Sequence, residues 1–190
     1  ARATSEIRVD GVLDEPAWAG AMRFDAEYEW FPEDNVSPPV RTEFLAAYDD
    51  RNLYLAYEVK SPAELVNAVL DPQIIFKGGN LIDVQLATQP DADPRRQKPA
   101  AGDVRLLVTR QQNKPVAVLF RPKTATSTGE PIVLKSPTGE EAFAAITPAD
   151  RVELDYRRTA SGFTAVVTIP RDLISWANVE PGRLVRLDLG

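Results

Sequence analysis

Residues 43–59 read EFLAAYDDRNLYLAYEV, two apolar-rich runs on either side of a short acidic turn. Before the turn, Phe44, Ala46 and Tyr48 alternate with their neighbours, and after it Leu53, Leu55, Tyr57 and Val59 do the same. A period of two places alternate side chains on opposite faces of an extended strand. Two such runs joined by the polar residues 49–52 predict an antiparallel β-hairpin.

The same alternation recurs along the rest of the chain. It predicts further strands, some paired as hairpins, at residues 82–86, 104–109, 115–120, 152–156, 163–169 and 184–189. Short strands separated by frequent turns, without alternating helices, are typical of an all-β fold. We therefore predict a single domain over residues 1–190, an antiparallel two-sheet β-sandwich that is jelly-roll-like.

Helix signals are scarce. Residues 14–18 predict one helical turn, with Asp14 as the N-cap and a proline in the first turn. Residues 171–176 predict a second turn after the proline that ends the preceding strand. Two segments rich in Pro, Gly and polar residues, 89–102 and 122–148, are expected to be long loops, which are often functional or mobile.

Composition removes several classes of function. The 190 residues include no cysteine and no histidine, which excludes a cysteine nucleophile, a Ser-His-Asp triad and histidine acid–base catalysis, and leaves zinc without its usual ligands. The net charge of −6 with only scattered basic residues argues against nucleic acid, which needs a basic face. No apolar run approaches the 18 residues of a membrane span.

Three segments in order resemble the family 9 carbohydrate-binding modules and their relatives in the DOMON-like group of β-sandwich domains. They are VDGVLDEPAW at 9–18, TEFLAAYDDRNLYLAYEVKSP at 42–62 and SGFTAVVTIPRDLI at 161–174. The resemblance covers most of the chain. It implies a β-sandwich appended to an exported bacterial enzyme, hence an extracellular or periplasmic location and a neighbouring domain as partner. It also implies that two aromatic rings clamp a terminal sugar while polar side chains bind its hydroxyls.

The stretch IFKGGNLIDVQL at 75–86 matches the region where the family places one clamp residue before an acidic strand. Phe76 takes the aromatic position that is a tryptophan in the sugar-binding members, and Asn80 and Asp83 take the two acidic positions. The resulting hypothesis is a ligand loop with Phe76 as a stacking face and Lys77, Asn80, Asp83 and Gln85 as hydrogen-bonding groups, because sugars pair C–H faces with aromatic rings. The alternative is that the glycine pair only forms a turn and Phe76 is core.

The tryptophans add two further candidates. Trp30, in an acidic stretch, and Trp176, near the end of the chain, are each a candidate platform for the sugar, with packing as the alternative for Trp176. Trp18 is expected to anchor the core. No single pair of acidic residues is marked out by a motif as the carboxylates of a glycosidase, so we do not expect an enzyme.

Calcium is the one metal with candidate ligands. Asp91 and Asp93, together with Asp49 and Asp50, offer carboxylate oxygens of the kind that calcium uses, and some relatives of the family bind structural calcium. Asp49 and Asp50 also suit an ordinary turn, and the twelve-residue calcium-loop pattern is absent from the sequence. We expect no cofactor, with structural calcium as the alternative.

The expected function is therefore non-catalytic binding of a saccharide, which would hold an attached enzyme near its polymer. The alternative is a structural or protein-interaction β-sandwich that has lost the sugar site and packs against a neighbouring domain. A haem-binding role, known in the wider DOMON-like group, is disfavoured by the absence of histidine.

Overall fold

The computed structural model describes residues 1–26, 40–89, 91–93, 95–136, 139–176 and 185–190. The elements, in chain order, are α1 (Pro16–Ala19), β1 (Met22–Ala26), β2 (Arg41–Tyr48), β3 (Asn52–Lys60), a 3₁₀ helix (Pro72–Lys77), β4 (Ile82–Ala87), β5 (Val104–Gln111), β6 (Lys114–Pro122), β7 (Ile132–Ser136), β8 (Gly139–Pro148), β9 (Glu153–Arg158), β10 (Phe163–Pro170) and β11 (Arg186–Leu189). The predicted all-β fold of two antiparallel sheets with short helical turns is confirmed. None of the helices in these ranges is long and apolar enough to cross a membrane.

The chain divides into two compact units that interleave in sequence. The first unit comprises residues 1–65 and 151–170, and the second comprises residues 66–150 and 171–190. The first contains a five-stranded sheet in the order β1-β2-β3-β10-β9, and the second a six-stranded sheet in the order β11-β4-β5-β6-β8-β7. That residues 1–190 act as a single domain stays a prediction.

The predicted hairpin at residues 43–59 forms the centre of the first unit. Tyr48 pairs with Leu53 at the turn, and the register continues to Arg41 and Lys60 at the other end. Asp49 fixes the turn, since its Oδ1 accepts the N–H groups of Arg51 and Asn52 at 2.7 Å each. Local turn chemistry and the period of two therefore agree on this element.

One face of the first sheet carries a buried cluster that the N-terminal segment covers. The cluster comprises Ile7, Ala17, Trp18, Leu45, Ala47, Tyr54, Ala56 and Val166. Trp18 is 3% exposed, which confirms its predicted place in the core, and its Nε1–H donates to Glu15 at 3.0 Å. Burying this amphipathic ring with its N–H satisfied holds the N-terminal segment against the sheet.

The N-cap prediction for α1 is wrong by one residue. The helical turn begins at Pro16, and Glu15 occupies the cap position without a side-chain cap. The Asp14 carboxylate instead accepts a hydrogen bond from Arg8 Nη2 at 2.8 Å. A cap side chain would accept the N–H of the second or third helical residue. Here the N–H of Ala17, the second helical residue, donates to Ser5 Oγ at 3.2 Å, so the turn forms without Asp14.

The second unit contains its own buried cluster. The cluster comprises Ile75, Leu107, Val118, Phe120 and Phe143.

Most of the segment 122–148, predicted as a loop, forms the paired strands β7 and β8, whereas 89–102 contains no helix or strand in its described residues. The predicted helical turn at 171–176 is a hydrogen-bonded turn closed by Trp176 N–H to Arg171 O at 2.9 Å.

Candidate functional site

The stretch IFKGGNLIDVQL begins in the 3₁₀ helix, which Asp71 caps by accepting the N–H of Gln73 at 2.9 Å. Ile75 is 1% exposed and belongs to the buried cluster of the second unit. Asn67 fixes this helix from the side, because its buried Nδ2 donates to Ile75 O at 2.8 Å. The helix therefore presents the residue after Ile75, which is Phe76, at the margin of the core.

The glycine pair serves a close backbone approach. Gly79 has φ +150°, and a Cβ at this position would lie 2.3 Å from Val66 O. Asn80 N–H donates to that same oxygen at 3.0 Å, and Ala68 N–H donates to Gly78 O at 3.1 Å. Only glycine permits this spacing, so the pair is a turn that leads into β4, as both interpretations of the stretch require.

Phe76 lies between core and solvent. It is half-buried and packs against the cluster of the second unit, which fits both interpretations in part. The Lys77 ammonium lies 5.7 Å from the centroid of the Phe76 ring, a distance at which a cation is attracted to an aromatic face. Lys77 itself is exposed, so this cation is free to move aside.

Strand β4 separates apolar from polar residues by its alternation. Ile82, Val84 and Leu86 are at most 3% exposed. Asp83 and Gln85 point to the opposite face, where their partners across the ladder on β5 are Leu107 and Arg105. Since Leu107 belongs to the cluster against which Phe76 packs, the Phe76 ring and the Asp83 carboxylate border the same part of the sheet.

Asp83 and Arg105 form a bidentate ion pair at the centre of this face. Arg105 Nε lies 3.0 Å from Asp83 Oδ1 and 2.9 Å from Oδ2, and Nη2 also bonds Oδ2. The Arg105 side chain is 28% exposed and that of Asp83 is 17% exposed, so the pair is partly shielded from water and charge-assisted. Both side chains keep part of their surface open to solvent.

A row of polar residues extends this pair to the edge of the sheet. Gln85 lies opposite Arg105, and Asp188 on β11 lies opposite Gln85; both are exposed. We define the β4–β5 face as Asp83, Gln85, Arg105 and Asp188, bordered by Phe76. It contains carboxylate, amide and guanidinium groups within one or two strand spacings of about 5 Å each.

The remaining predicted site residues fall elsewhere. Asn80 is exposed at the entry to β4, while its carbonyl accepts the Thr109 hydroxyl at 2.7 Å. Trp176 is 8% exposed, with the Arg171 guanidinium 5.8 Å from its ring centroid, and so packs rather than presenting a platform. Trp30 lies outside the described residues.

Sequence reasoning missed Arg105 and Asp188. Arg105 is 22 residues from its partner Asp83, and only the strand register brings them together. The available signal was one charged residue inside the apolar run Val104–Val108, a position that is costly unless the charge is paired.

An open polar depression of about 460 Å³ lies in the first unit, and none of its lining residues belongs to the β4–β5 face. It is lined by Ala3, Thr4, Ser5, Glu6, Ile7, Asp49, Arg51, Asn52 and Tyr54. At its base the Tyr54 hydroxyl donates to Asp49 Oδ2 at 2.8 Å and accepts from Asn52 Nδ2 at 3.1 Å. Burial raises the pKa of Tyr54, and the Asp49 carboxylate raises it further while Asn52 opposes the shift. The hydroxyl is neutral and its carboxylate partner belongs to the hairpin turn, so we assign the depression to the turn.

The carboxylates proposed for calcium serve turns and ion pairs. Asp93 Oδ1 accepts the N–H of Arg95 at 2.8 Å, and Asp50 pairs with Arg2 at 2.7 Å. In the described ranges, no three His, Cys, Asp or Glu side chains are grouped so as to hold a metal ion. Neither a comparison of the chain with models of known protein families nor one with curated protein sequences finds a match.

Proposed function

We propose that this chain is a non-catalytic carbohydrate-binding domain that holds a saccharide on the β4–β5 face. The observation that carries the proposal is the bidentate Asp83–Arg105 pair, placed beside the exposed Gln85 and bordered by the half-exposed Phe76 ring. The sequence resemblance points to the same stretch. By the same resemblance, the role of the domain is to keep an attached exported enzyme near its polymer.

The polar groups on this face match what sugar hydroxyls require. Each hydroxyl both donates and accepts, so a carboxylate and a guanidinium side by side bind neighbouring hydroxyls in complementary ways. Arg105 uses Nε and Nη2 toward Asp83, and within the described part of the chain its Nη1 makes no hydrogen bond. Because the ion pair already fixes both side chains, binding costs little additional side-chain entropy.

Phe76 supplies the apolar half of the interaction. A sugar C–H face that stacks on the ring displaces Lys77, whose contact at an exposed site is worth about 0.5–1 kcal/mol. The free energy gained by stacking exceeds this cost only if polar contacts to the sugar hydroxyls form at the same time. We therefore expect modest affinity, with a Kd in roughly the micromolar to millimolar range.

The alternative function is a structural or protein-interaction domain. Two observations favour it: Trp176 is buried, and Met22 and Phe24 in the first unit are 52% and 40% exposed. Exposed apolar side chains grouped on one strand are typical of a protein contact. Under this alternative, no saccharide binds the β4–β5 face.

Calorimetric titration with a panel of mono- and oligosaccharides, with and without calcium, separates the two functions. Gln85→Ala removes an exposed side chain and should weaken binding about 5- to 10-fold, the value of one hydrogen bond. Arg105→Lys keeps the charge but loses the fork, and should weaken binding at least about tenfold.

The matched control is Lys135→Ala. Lys135 is an exposed residue of β7, four strands from β4 in the same sheet, and pairs with Glu140 at 2.9 Å. Its replacement should leave the affinity unchanged. No heat with any saccharide, for protein that is folded by circular dichroism, would overturn the proposal, as would binding that Gln85→Ala and Arg105→Lys leave intact.

A further inference from the structure

Strand β1 is an open edge of the five-stranded sheet. It pairs with β2 on one side, and among the described strands none pairs with its other side. All five residues from Met22 to Ala26 are exposed. An edge strand directs a row of N–H and C=O groups outward and is a template for another strand unless charge, proline or a bulge protects it.

The side chains of β1 are complementary to themselves. The strand reads Met-Arg-Phe-Asp-Ala, with Phe24 at its centre. In an antiparallel pair of two copies centred on Phe24, Arg23 of each chain lies opposite Asp25 of the other. Phe24 lies opposite Phe24, and Met22 lies opposite Ala26. One face of the pair is then ionic with matched charges and the other is apolar, and both kinds of cross-strand contact are favourable.

The described ion pairs of one chain leave the carboxylate of Asp25 without a cationic partner. Asp25 lies directly opposite Glu43 on β2, a like-charge pair that is unfavourable across a ladder. Arg23 forms its salt bridge with Glu43, and within the described residues no salt bridge reaches Asp25. Arg23 of a second copy would approach Asp25 from the open side.

We propose that β1 is a homodimer interface, in which two chains pair edge to edge and their five-stranded sheets join into one of ten strands. The contact covers Met22 and Phe24, the two most exposed large apolar side chains among the described residues of the first unit. Five residues per strand form a small interface, so the dimer is weak, with a Kd on the order of 10–100 µM. The proposed interface shares no residue with the β4–β5 face, and the experiments that test the two proposals use different variants.

Charge reversal tests the pairing and its register. Asp25→Arg places a cation opposite Glu43, which suits the folded chain, but sets it against Arg23 of the second copy. Sedimentation velocity of the 190-residue chain from about 1 µM to 1 mM should show a concentration-dependent dimer that Asp25→Arg weakens at least about tenfold. Lys135→Glu, on the edge strand β7 of the other sheet, is the control and should leave the dimer unchanged.

Mixing complementary variants makes the test specific. Arg23→Asp also weakens self-association, whereas an equimolar mixture of Arg23→Asp with Asp25→Arg should form a heterodimer as stable as the original dimer. If Arg23→Asp does not fold, the double variant Arg23→Asp/Asp25→Arg replaces it and should dimerise by itself. A chain that stays monomeric at 1 mM, a dimer that tolerates Asp25→Arg, or reversed charges that fail to restore association would each overturn the proposal.

Discussion

Replacing Gly79 with alanine tests why the stretch 75–86 contains two adjacent glycines. The added Cβ would lie 2.3 Å from Val66 O and 2.9 Å from Asn67 Cα, both backbone atoms that cannot rotate away. The backbone on at least one side must therefore shift. Because Gly79 has φ +150°, the new side chain also meets a conformation that L-residues avoid.

The cost follows from two terms. Moving Val66 O away breaks its hydrogen bond from Asn80 N–H at 3.0 Å and strains that of Ala68 N–H to Gly78 O at 3.1 Å, together about 2 kcal/mol. The unfavourable φ adds about 1–3 kcal/mol. We therefore expect Gly79→Ala to lower the free energy of unfolding by about 3–5 kcal/mol, a large share of the 5–15 kcal/mol typical of a domain.

Urea unfolding followed by circular dichroism measures this loss. Gly20→Ala is the matched control, because Gly20 has φ −101° and a Cβ there has no atom within 4 Å; it should change the free energy by less than about 0.5 kcal/mol. A loss below about 1 kcal/mol for Gly79→Ala would refute the close approach as the reason for the glycine.

Two further perturbations probe the cores of the units. Burial raises the pKa of Glu15, but hydrogen bonds from Arg8 and Trp18 outweigh it and leave the pKa below its usual 4.5. The stabilisation is present above pH 4.5 and is lost as pH falls through the lowered value. Glu15→Gln should therefore be less stable than the parent chain by about 1–2 kcal/mol at pH 7. The urea midpoints of the two chains should converge as the pH falls below 4.5, and a gap that does not narrow would contradict this. Leu107 is fully buried, and Leu107→Ala should lower the free energy of unfolding by about 2–5 kcal/mol. The control Val133→Ala, at a residue that is 45% exposed, should lower it by less than about 1 kcal/mol. Equal losses in thermal or urea unfolding would show that Leu107 is not a core residue.

The strands that could be predicted are those in which pattern and turn chemistry agree. In β2–β3, alternation specified the faces and Asp49 specified the turn. β7 and β8 were missed because the segment 122–148 is rich in Pro, Thr and Gly, and because among the described side chains of β7 only Ile132 and Leu134 are half-buried. An edge strand with one neighbour needs few apolar residues, so its periodic signal is weak.

The 3₁₀ helix was missed although its start was visible. Asp71-Pro72 combines an N-cap with a proline at the first helical position, which is an ordinary helix-start signal. The short run that follows is too brief for a helical period to emerge. By contrast, the turn at 171–176 is closed by a hydrogen bond from Trp176 N–H to Arg171 O, five residues earlier in the chain. Helix propensity does not predict this spacing.

The candidate site was predictable only along one strand. Asp83 and Gln85 share a face because they are two residues apart, and this could be read directly from the sequence. Arg105 and Asp188 join them through ladder pairing across β5 and β11, which depends on register. One sequence specifies which side chains share a face of its own strand, whereas neighbours from other strands follow from the fold.

Backbone amide chemical shifts measured during a saccharide titration test the central claim most directly. We expect the largest changes at Phe76 to Gln85 on and before β4, and at Arg105 on β5, with those of the first unit near Asp49 and Tyr54 unchanged. Shifts confined to the first unit, or none at millimolar concentrations of every saccharide in the panel, would contradict saccharide binding on the β4–β5 face.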